Sequence, residues 1–122
     1  MPRFVVLLHE TLPGYPRGAH LDLMLEQEGM LRTWALDKPP LPGEIVSAER
    51  LPDHRLEYLD YEGAVSRERG VVSRVDSGRY EVLQETATVL AVRLEGQRIH
   101  GTLTLLAEDA ALHRWRVSLS AD

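Results

Sequence analysis

The sequence predicts an all-β protein, because three features of its pattern favour short strands over helices. Apolar and polar residues alternate with period two in the run HLDLMLE at residues 20–26, as in a strand that buries one face. Glycine, proline and polar residues separate such runs, as at residues 27–29. No segment repeats its apolar residues at helical spacing for three turns. We therefore expect residues 1–122 to form one domain, a small β-barrel of about eight strands, closed or partly open, with at most one short helical turn.

The predicted elements follow one another with few long connections. The runs with strand character lie at residues 3–9, 20–26, 30–36, 44–51, 55–61, 70–76, 79–84, 88–94, 98–106 and 112–119. Tight turns are expected at residues 27–29, 77–78 and 95–97. A loop is expected at residues 38–43, since three of its six residues are prolines. The best helical candidate is a single turn around residues 42–48.

The strand predicted at residues 20–26 has two chemically different faces. Side chains alternate across a strand, so the three leucines of HLDLMLE share one face and are expected to pack in the core. His20, Asp22 and Met24 share the opposite face. A core on the leucine side would hold the polar side chains rigidly, as a preorganised site requires.

The composition excludes several functional classes. With 14 basic and 19 acidic residues, the formal net charge is −5, which argues against a protein that coats nucleic acid by bulk attraction. The absence of cysteine excludes disulfides, thiolate nucleophiles and cysteine-based zinc sites. No apolar run approaches the length of a membrane span, and the run at residues 4–8 is too short for a secretory signal. We therefore expect a cytoplasmic protein that does not bind membranes.

His9, His20 and Asp22 are a candidate metal site. Residues two apart on a strand leave the same face about 6.6–7 Å apart at Cα, so an imidazole and a carboxylate can meet on one cation. His9 would add a second nitrogen and leave open positions for water or substrate. The same pattern also occurs on ordinary polar strand faces, and His54 and Tyr58 could likewise belong to a polar strand edge. The residues alone therefore leave both a functional site and an ordinary polar surface open.

A set of motifs in a fixed order carries a family resemblance. These are RFVV at residues 3–6, His9, HLD at 20–22, LE at 25–26, Gly29, Leu31, WA at 34–35, Lys38, Pro40, DHRLEY at 53–58, DYEG at 60–63, DSGRYE at 76–81, LEGQR at 94–98, Gly101 and Trp115. The set covers nearly the whole chain and resembles the 3′-phosphoesterase module of bacterial DNA ligase D.

The resemblance implies a small β-barrel that trims the 3′ ends of broken DNA. Such a module removes a terminal ribonucleotide and then the remaining 3′-phosphate, leaving a 3′-hydroxyl, and uses a divalent metal, typically Mn²⁺. The implied metal ligands are His9, His20 and Asp22. His54 and Tyr58 match the phosphate-contacting residues, so that His54, Tyr58 and the ligand His9 are the predicted catalytic residues. The implied partners are DNA 3′ ends, including ribonucleotide-terminated ends, and a DNA ligase, and we expect a monomer.

The chain departs from the family pattern at two places. Ten residues separate His9 from His20, a longer spacing than in the ligase modules, and the additional residues read as a loop. Met24 stands where those modules have an arginine that binds the phosphate. Methionine offers neither the charge nor the planar donors of arginine. Three cations are candidates for phosphate binding in its place: Arg17, Arg55 and Lys38, the last of which also matches a lysine of the family.

The substitution at Met24 keeps a second hypothesis open, in which the barrel is a catalytically degenerate module that binds DNA ends or docks on a ligase. A third hypothesis is a metal-binding barrel that acts on a small phosphorylated metabolite. The remaining assignments are structural. Trp34 and Trp115 are expected in the core, and His100 and His113 on the surface. Five arginines lie within residues 50–74, and they either line a surface along which nucleic acid approaches the site or form an ordinary solvent-exposed face: Arg50, Arg55, Arg67, Arg69 and Arg74.

Overall fold

The computed structural model describes residues 1–15, 17–65 and 70–121, which form a β-barrel. The strands are β1 (Arg3–Glu10), β2 (His20–Gln27), β3 (Met30–Leu36), β4 (Ile45–His54), β5 (Gly63–Ala64), β6 (Val71–Glu85), β7 (Val89–Gly96), β8 (His100–Ala107) and β9 (Arg114–Ser120). Eight of them follow the order β1-β2-β3-β4-β9-β8-β7-β6, and β6 pairs with β1 to close the sheet. All of these strand pairings are antiparallel, and the two-residue β5 adds to β6. The predicted all-β barrel is confirmed.

The barrel interior holds the larger of two apolar clusters. The leucines of β2, Leu21, Leu23 and Leu25, point into it together with Trp34 and Trp115, whose rings meet edge to face at 5.7 Å. The prediction that both tryptophans are core residues is confirmed. This interior fixes β2 in one register, because a slip of one residue would turn its leucines outward.

The smaller cluster lies on the other face of β1, β2 and β3. Its members alternate along the strands with the residues of the interior and are Val5, Leu7, Met24, Leu31, Leu59, Val65 and Val72. Leu59 comes from a one-turn 3₁₀ helix, Leu56–Leu59, which follows β4. Because this helix and the segment after it cover the outer face, β2 is buried on both sides. The polar side chains of that outer face therefore lie at the boundary of a second core and not in open solvent.

Three predictions about local structure are wrong. The helical turn expected around residues 42–48 is absent, because the chain turns at Gly43, with φ of +83°, and then enters β4. The strand expected at residues 55–61 is the 3₁₀ helix Leu56–Leu59 instead, whose Leu59 is anchored in the smaller cluster. The tight turn expected at Ser77 and Gly78 is part of the continuous strand β6.

Gly78 serves a close approach of strands and not a turn. It pairs with Phe4 of β1 on one side and Gly96 of β7 on the other. A Cβ atom at Gly78 would lie 2.1 Å from the carbonyl oxygen of Glu95, so only glycine fits where three strands meet. None of the described residues forms a helix that is long and apolar enough to cross a membrane. His100 and His113 are exposed, as expected.

Candidate metal centre and active site

The strand pairing of β1 with β2 brings the three predicted ligands together. His9 pairs directly with His20 across the ladder, and Asp22 lies two residues further along β2. All three side chains are buried, and one ligand atom of each lies within 4.8 Å of the others. A long β1–β2 loop therefore does not disturb the cluster, because the register of the ladder sets it.

The hydrogen bonding of His20 leaves the lone pair of its Nε2 available to a metal ion shared with Asp22. Its Nδ1 lies 2.8 Å from the carbonyl oxygen of Gly18, which can only accept, so Nδ1 carries the hydrogen. In the neutral imidazole, Nε2 then offers a lone pair, and it lies 3.1 Å from Oδ1 of Asp22. Neighbouring ligands at 90° in an octahedral site with bonds of about 2.1–2.2 Å are separated by about 3.0–3.1 Å. The other carboxylate oxygen lies 3.6 Å from Nδ1 of His9.

Asp22 is a buried carboxylate with an oxygen that the protein does not satisfy. Oδ1 of Asp22 has no hydrogen-bond partner among the described residues, although buried polar atoms are normally paired. Burial raises the pKa of Asp22, but hydrogen bonding and charge attraction from His20 and His9 in their protonated forms outweigh burial and hold the pKa below its usual range. The carboxylate is therefore ionised, and two imidazole nitrogens and one anionic oxygen fit a divalent transition-metal ion.

A small cleft of about 190 Å³ opens beside these ligands. Its lining comes from four parts of the chain and consists of His9, Tyr15, Arg17, His20, Asp22, Met24, Leu51, His54, Tyr58, Val65 and Val72. We call this the inner cleft. It has room for a phosphate group and a few waters but not for a whole nucleotide, since pockets for small molecules typically measure about 300–1,000 Å³.

The corner between β4 and the 3₁₀ helix contributes the two predicted phosphate-binding side chains. Nδ1 of His54 lies 2.9 Å from the carbonyl oxygen of Pro52, so Nδ1 carries the hydrogen and Nε2 remains for a substrate. The ring of Tyr58 meets that of His54 edge to face at 5.7 Å. Leu59, buried in the smaller cluster, anchors this helix. His54 and Tyr58 thus line the inner cleft with the metal ligands.

The three candidate cations have different positions. Arg17 lines the inner cleft and forms an ion pair with Glu49. Arg55 lies further out, with an 83% exposed side chain 3.7 Å from Glu57. Nζ of Lys38 lies 3.9 Å from Glu44, and Lys38 is not among the described residues that line the inner cleft.

Met24, at the position of the family arginine, lines the inner cleft and is only 1% exposed. It packs in the smaller cluster, so apolar packing replaces a charge at that place. Arg17, from the β1–β2 loop, is the described cation that shares this cleft. The β1–β2 loop, which is longer than in the ligase modules, thus supplies an arginine that lines the same cleft as the metal ligands.

Two arginines of the proposed nucleic-acid approach have structural contacts. Arg50 lies 4.6 Å above the ring of Trp34 and donates to Asp53 and to backbone carbonyls. Arg74 lies 3.8 Å from Glu62. Arg67 and Arg69 lie outside the described residues.

Sequence reasoning missed two aromatic residues of the site. Tyr15 lines the inner cleft, with its ring 6.4 Å from that of His9. Tyr61 follows the 3₁₀ helix and lines a wider opening next to the inner cleft. Tyr15 could have been found from the sequence because it is an aromatic residue within a glycine- and proline-rich loop. Tyr61 could have been found because it is a second tyrosine three residues after Tyr58.

Comparison with known proteins agrees with this geometry. Residues 15–107 match the model of the DNA Ligase D 3′-phosphoesterase domain. The chain belongs to this family. The family assignment from sequence motifs is confirmed.

Relatives include the multifunctional non-homologous end joining protein LigD of Mycobacterium bovis, 34% identical over 92% of this chain. The protein of the same name from Pseudomonas aeruginosa is 30% identical over 71% of this chain. This chain spans only 15% and 12% of the length of these two relatives. The similarity therefore concerns one module of larger proteins.

Proposed function

We propose that this chain is a divalent-metal-dependent phosphoesterase that processes DNA 3′ ends during repair. It would remove a 3′-phosphate or a 3′-terminal ribonucleotide and leave a 3′-hydroxyl. The observation that supports this most strongly is the unsatisfied carboxylate oxygen of Asp22, which lies between two imidazoles and beside a cleft of phosphate size. His9, His20 and Asp22 would hold the ion, for which we propose Mn²⁺.

Each group around the inner cleft would have a separate role in the reaction. The bound ion would polarise a phosphoryl oxygen as a Lewis acid. As a water attacks the phosphorus and the bond to the leaving oxygen breaks, His54, when protonated at Nε2, donates a hydrogen bond to a phosphoryl oxygen or a proton to the leaving oxygen. The hydroxyl of Tyr58 donates to the phosphate and fixes its rotation. Arg17, on the side of the β1–β2 loop, would exchange its partner Glu49 for the phosphate and neutralise the remaining charge in place of the family arginine.

The size of the inner cleft favours a terminal phosphate over one within a strand. At about 190 Å³ it admits the reacting phosphate, and a nucleoside esterified to that phosphate would extend into the adjoining opening. The module is named for 3′ ends, and a cleft of this size is consistent with that. The proposal also includes cooperation with a DNA ligase, because the relatives are multifunctional end joining proteins, and a cytoplasmic monomer as the working form.

The proposed activity is tested with a 3′-phosphorylated oligonucleotide and Mn²⁺. We expect phosphate release by the wild type, loss of release in EDTA, and loss in His20→Ala, which removes one ligand. The same oligonucleotide with a 5′-phosphate serves as the control substrate and should remain intact. Equal turnover by His20→Ala, or no release by the wild type with Mn²⁺, would contradict the proposal.

The alternative of a degenerate end-binding module depends on the apolar packing of Met24 at the cleft. Restoring arginine with Met24→Arg separates the two. A gain in cleavage of about 100-fold or more would indicate that the site is intact but lacks its phosphate clamp. Met24→Leu, which keeps the apolar packing, is the matched control and should leave cleavage unchanged.

A further inference from the structure

A wider opening adjoins the inner cleft and extends the site away from the metal ligands. This outer cleft measures about 720 Å³, within the range of pockets that hold nucleoside-sized ligands. It shares five lining residues with the inner cleft: Tyr15, Leu51, His54, Tyr58 and Val65. A molecule whose phosphate occupies the inner cleft would therefore extend its next group into the outer cleft.

Tyr61 presents a fixed aromatic ring in the outer cleft. It is 38% exposed, yet its hydroxyl donates a hydrogen bond to the carbonyl oxygen of Ala64. Its ring meets that of Tyr58 edge to face at 5.8 Å. A Cβ atom at Gly63 would lie 3.3 Å from the Tyr61 hydroxyl, so the glycine gives the hydroxyl room. The ring is thus preorganised at both ends, which lowers the entropic cost of binding a flat partner.

The charges of the outer cleft are already paired. Every Asp, Glu and Arg among the described residues that line it has an opposite charge nearby. Asp53 lies 3.0 Å from Arg50, and Arg55 lies 3.7 Å from Glu57. Arg55 is the one Lys or Arg among the described residues of this lining, and its side chain is 83% exposed and points to Glu57, whereas Tyr58 and Tyr61 supply the aromatic surface that a base requires. The described lining therefore suits a base better than a further length of phosphate backbone.

We propose that Tyr61 stacks against the base of the nucleotide that carries the 3′-phosphate. This inference rests on the proposed function, because it needs the phosphate in the inner cleft. A base bound on a protein ring must leave its own stack, so the terminal base pair opens before the phosphate reaches the metal ligands. Stacking is tolerant of sequence, since every base has an aromatic face. The site therefore selects an unpaired terminal nucleotide without selecting its identity.

The test compares binding when the terminal base of the oligonucleotide is removed, when the ring of Tyr61 is removed, and when both are removed. The probes are single-stranded oligonucleotides ending in a 3′-phosphonate with a P–C bond, which cannot be hydrolysed, and their affinity is measured by fluorescence anisotropy with Mn²⁺. One probe has thymine at the last nucleotide and the other is abasic there. Wild type should bind the abasic probe about tenfold more weakly.

Tyr61→Ala should bind both probes with the same affinity, near that of wild type for the abasic probe. Tyr61→Leu repeats the test with a larger apolar side chain if the alanine variant is unstable. Leu56→Ala is the matched control, because Leu56 is exposed and belongs to the neighbouring 3₁₀ helix but does not line either cleft. It should keep the tenfold discrimination.

Equal binding of the two probes by wild type, no binding of either, or an undiminished preference in the Tyr61 variants would overturn the inference. Failure of the proposed function has a different signature. A wild type that prefers the thymine probe but does not release phosphate from an ordinary 3′-phosphorylated strand would contradict the hydrolase and leave the base contact in place.

Discussion

The barrel contains two buried aspartates whose surroundings differ in one decisive way. Asp76, on β6, is 4% exposed, and Asp22, on β2, is 3% exposed. Each has a pKa below its usual range despite burial, which by itself raises the pKa. Asp76 achieves this through backbone N–H groups and Asp22 through imidazoles. The carboxylate that the backbone satisfies is structural, and the carboxylate with an unsatisfied oxygen is the candidate ligand.

The backbone uses both oxygens of Asp76. Oδ1 accepts from the N–H groups of Ser77 and Gln97, and Oδ2 from those of Arg98 and Ile99, all within 3.0 Å. Three of these donors form the turn between β7 and β8, so Asp76 holds that turn against β6. No coordination site remains for a cation. Burial alone therefore does not identify a functional carboxylate, and hydrogen-bond satisfaction does.

The largest effect that we expect from changing either aspartate is the loss of phosphate release when Asp22 is replaced. Asp22→Asn keeps the shape but removes the charge, and an amide oxygen is a weaker ligand. Since the bound metal contributes several kcal/mol to the transition state, phosphate release should fall by about 1,000-fold, or roughly 4 kcal/mol. The free energy of unfolding in EDTA should fall only modestly, because the variant also loses the contacts with His20 and His9 that lower the pKa of Asp22. Activity within tenfold of wild type would contradict this.

Asp76→Asn should have the opposite pattern. Its amide group would direct N–H donors at backbone N–H groups, leaving about two of them unpaired at about 1–3 kcal/mol each. We expect a loss of about 3 kcal/mol in the free energy of unfolding and a fall in Tm of roughly 10 °C, measured by urea and thermal denaturation. Phosphate release per folded molecule should stay near that of wild type. A variant as stable as wild type would refute the structural role.

Gly96 provides a smaller test of the same region. A Cβ atom at Gly96 would lie 2.3 Å from Oδ2 of Asp76, so Gly96→Ala must displace the carboxylate or the turn. We expect a loss of about 2 kcal/mol in the free energy of unfolding, within the usual range for overpacking. Gly18→Ala is the matched control, because no atom lies within 4 Å of its Cβ position. A comparable loss in the control would show that the effect is not due to contact with Asp76.

The smallest effect concerns pH. The pKa of Asp76 is lowered in the folded protein, so its stabilising contribution is complete above the unfolded pKa of about 3.9. That contribution is lost as the pH falls through the lower folded pKa. The stability difference between wild type and Asp76→Asn should therefore be constant near neutrality and narrow below about pH 4. A difference that does not change between pH 7 and acid unfolding would contradict the assignment.

The sequence predicted the grouping of His9, His20 and Asp22 better than it predicted the local structure around them. The period-two run of β2 separates Leu23 from Asp22 by simple alternation, and the ladder with β1 then brings His9 beside His20. These features depend on local patterns that the barrel preserves. The role of Asp76 could not be found in the same way, because three of its four donors lie more than twenty residues away, in the turn between β7 and β8.

The errors arose where tertiary packing overrides a local pattern. Ser77 and Gly78 have the composition of a turn, yet β6 continues through them because two neighbouring strands approach closely at Gly78. Residues 55–61 alternate like a strand, yet Leu59 is needed to cover the outer face of β1 and β2. Tyr61 was overlooked for the same reason, since its position relative to Tyr58 depends on that 3₁₀ helix.

The central claim, that Asp22 is a metal ligand and Asp76 is not, is tested most directly by Mn²⁺ titration monitored by electron paramagnetic resonance. Loss of the free-ion signal measures binding without any substrate. Wild type and Asp76→Asn should each bind one Mn²⁺ per folded chain with similar affinity, whereas Asp22→Asn should weaken binding by more than about 100-fold. Equal binding by wild type and Asp22→Asn, or no binding by wild type, would contradict the account.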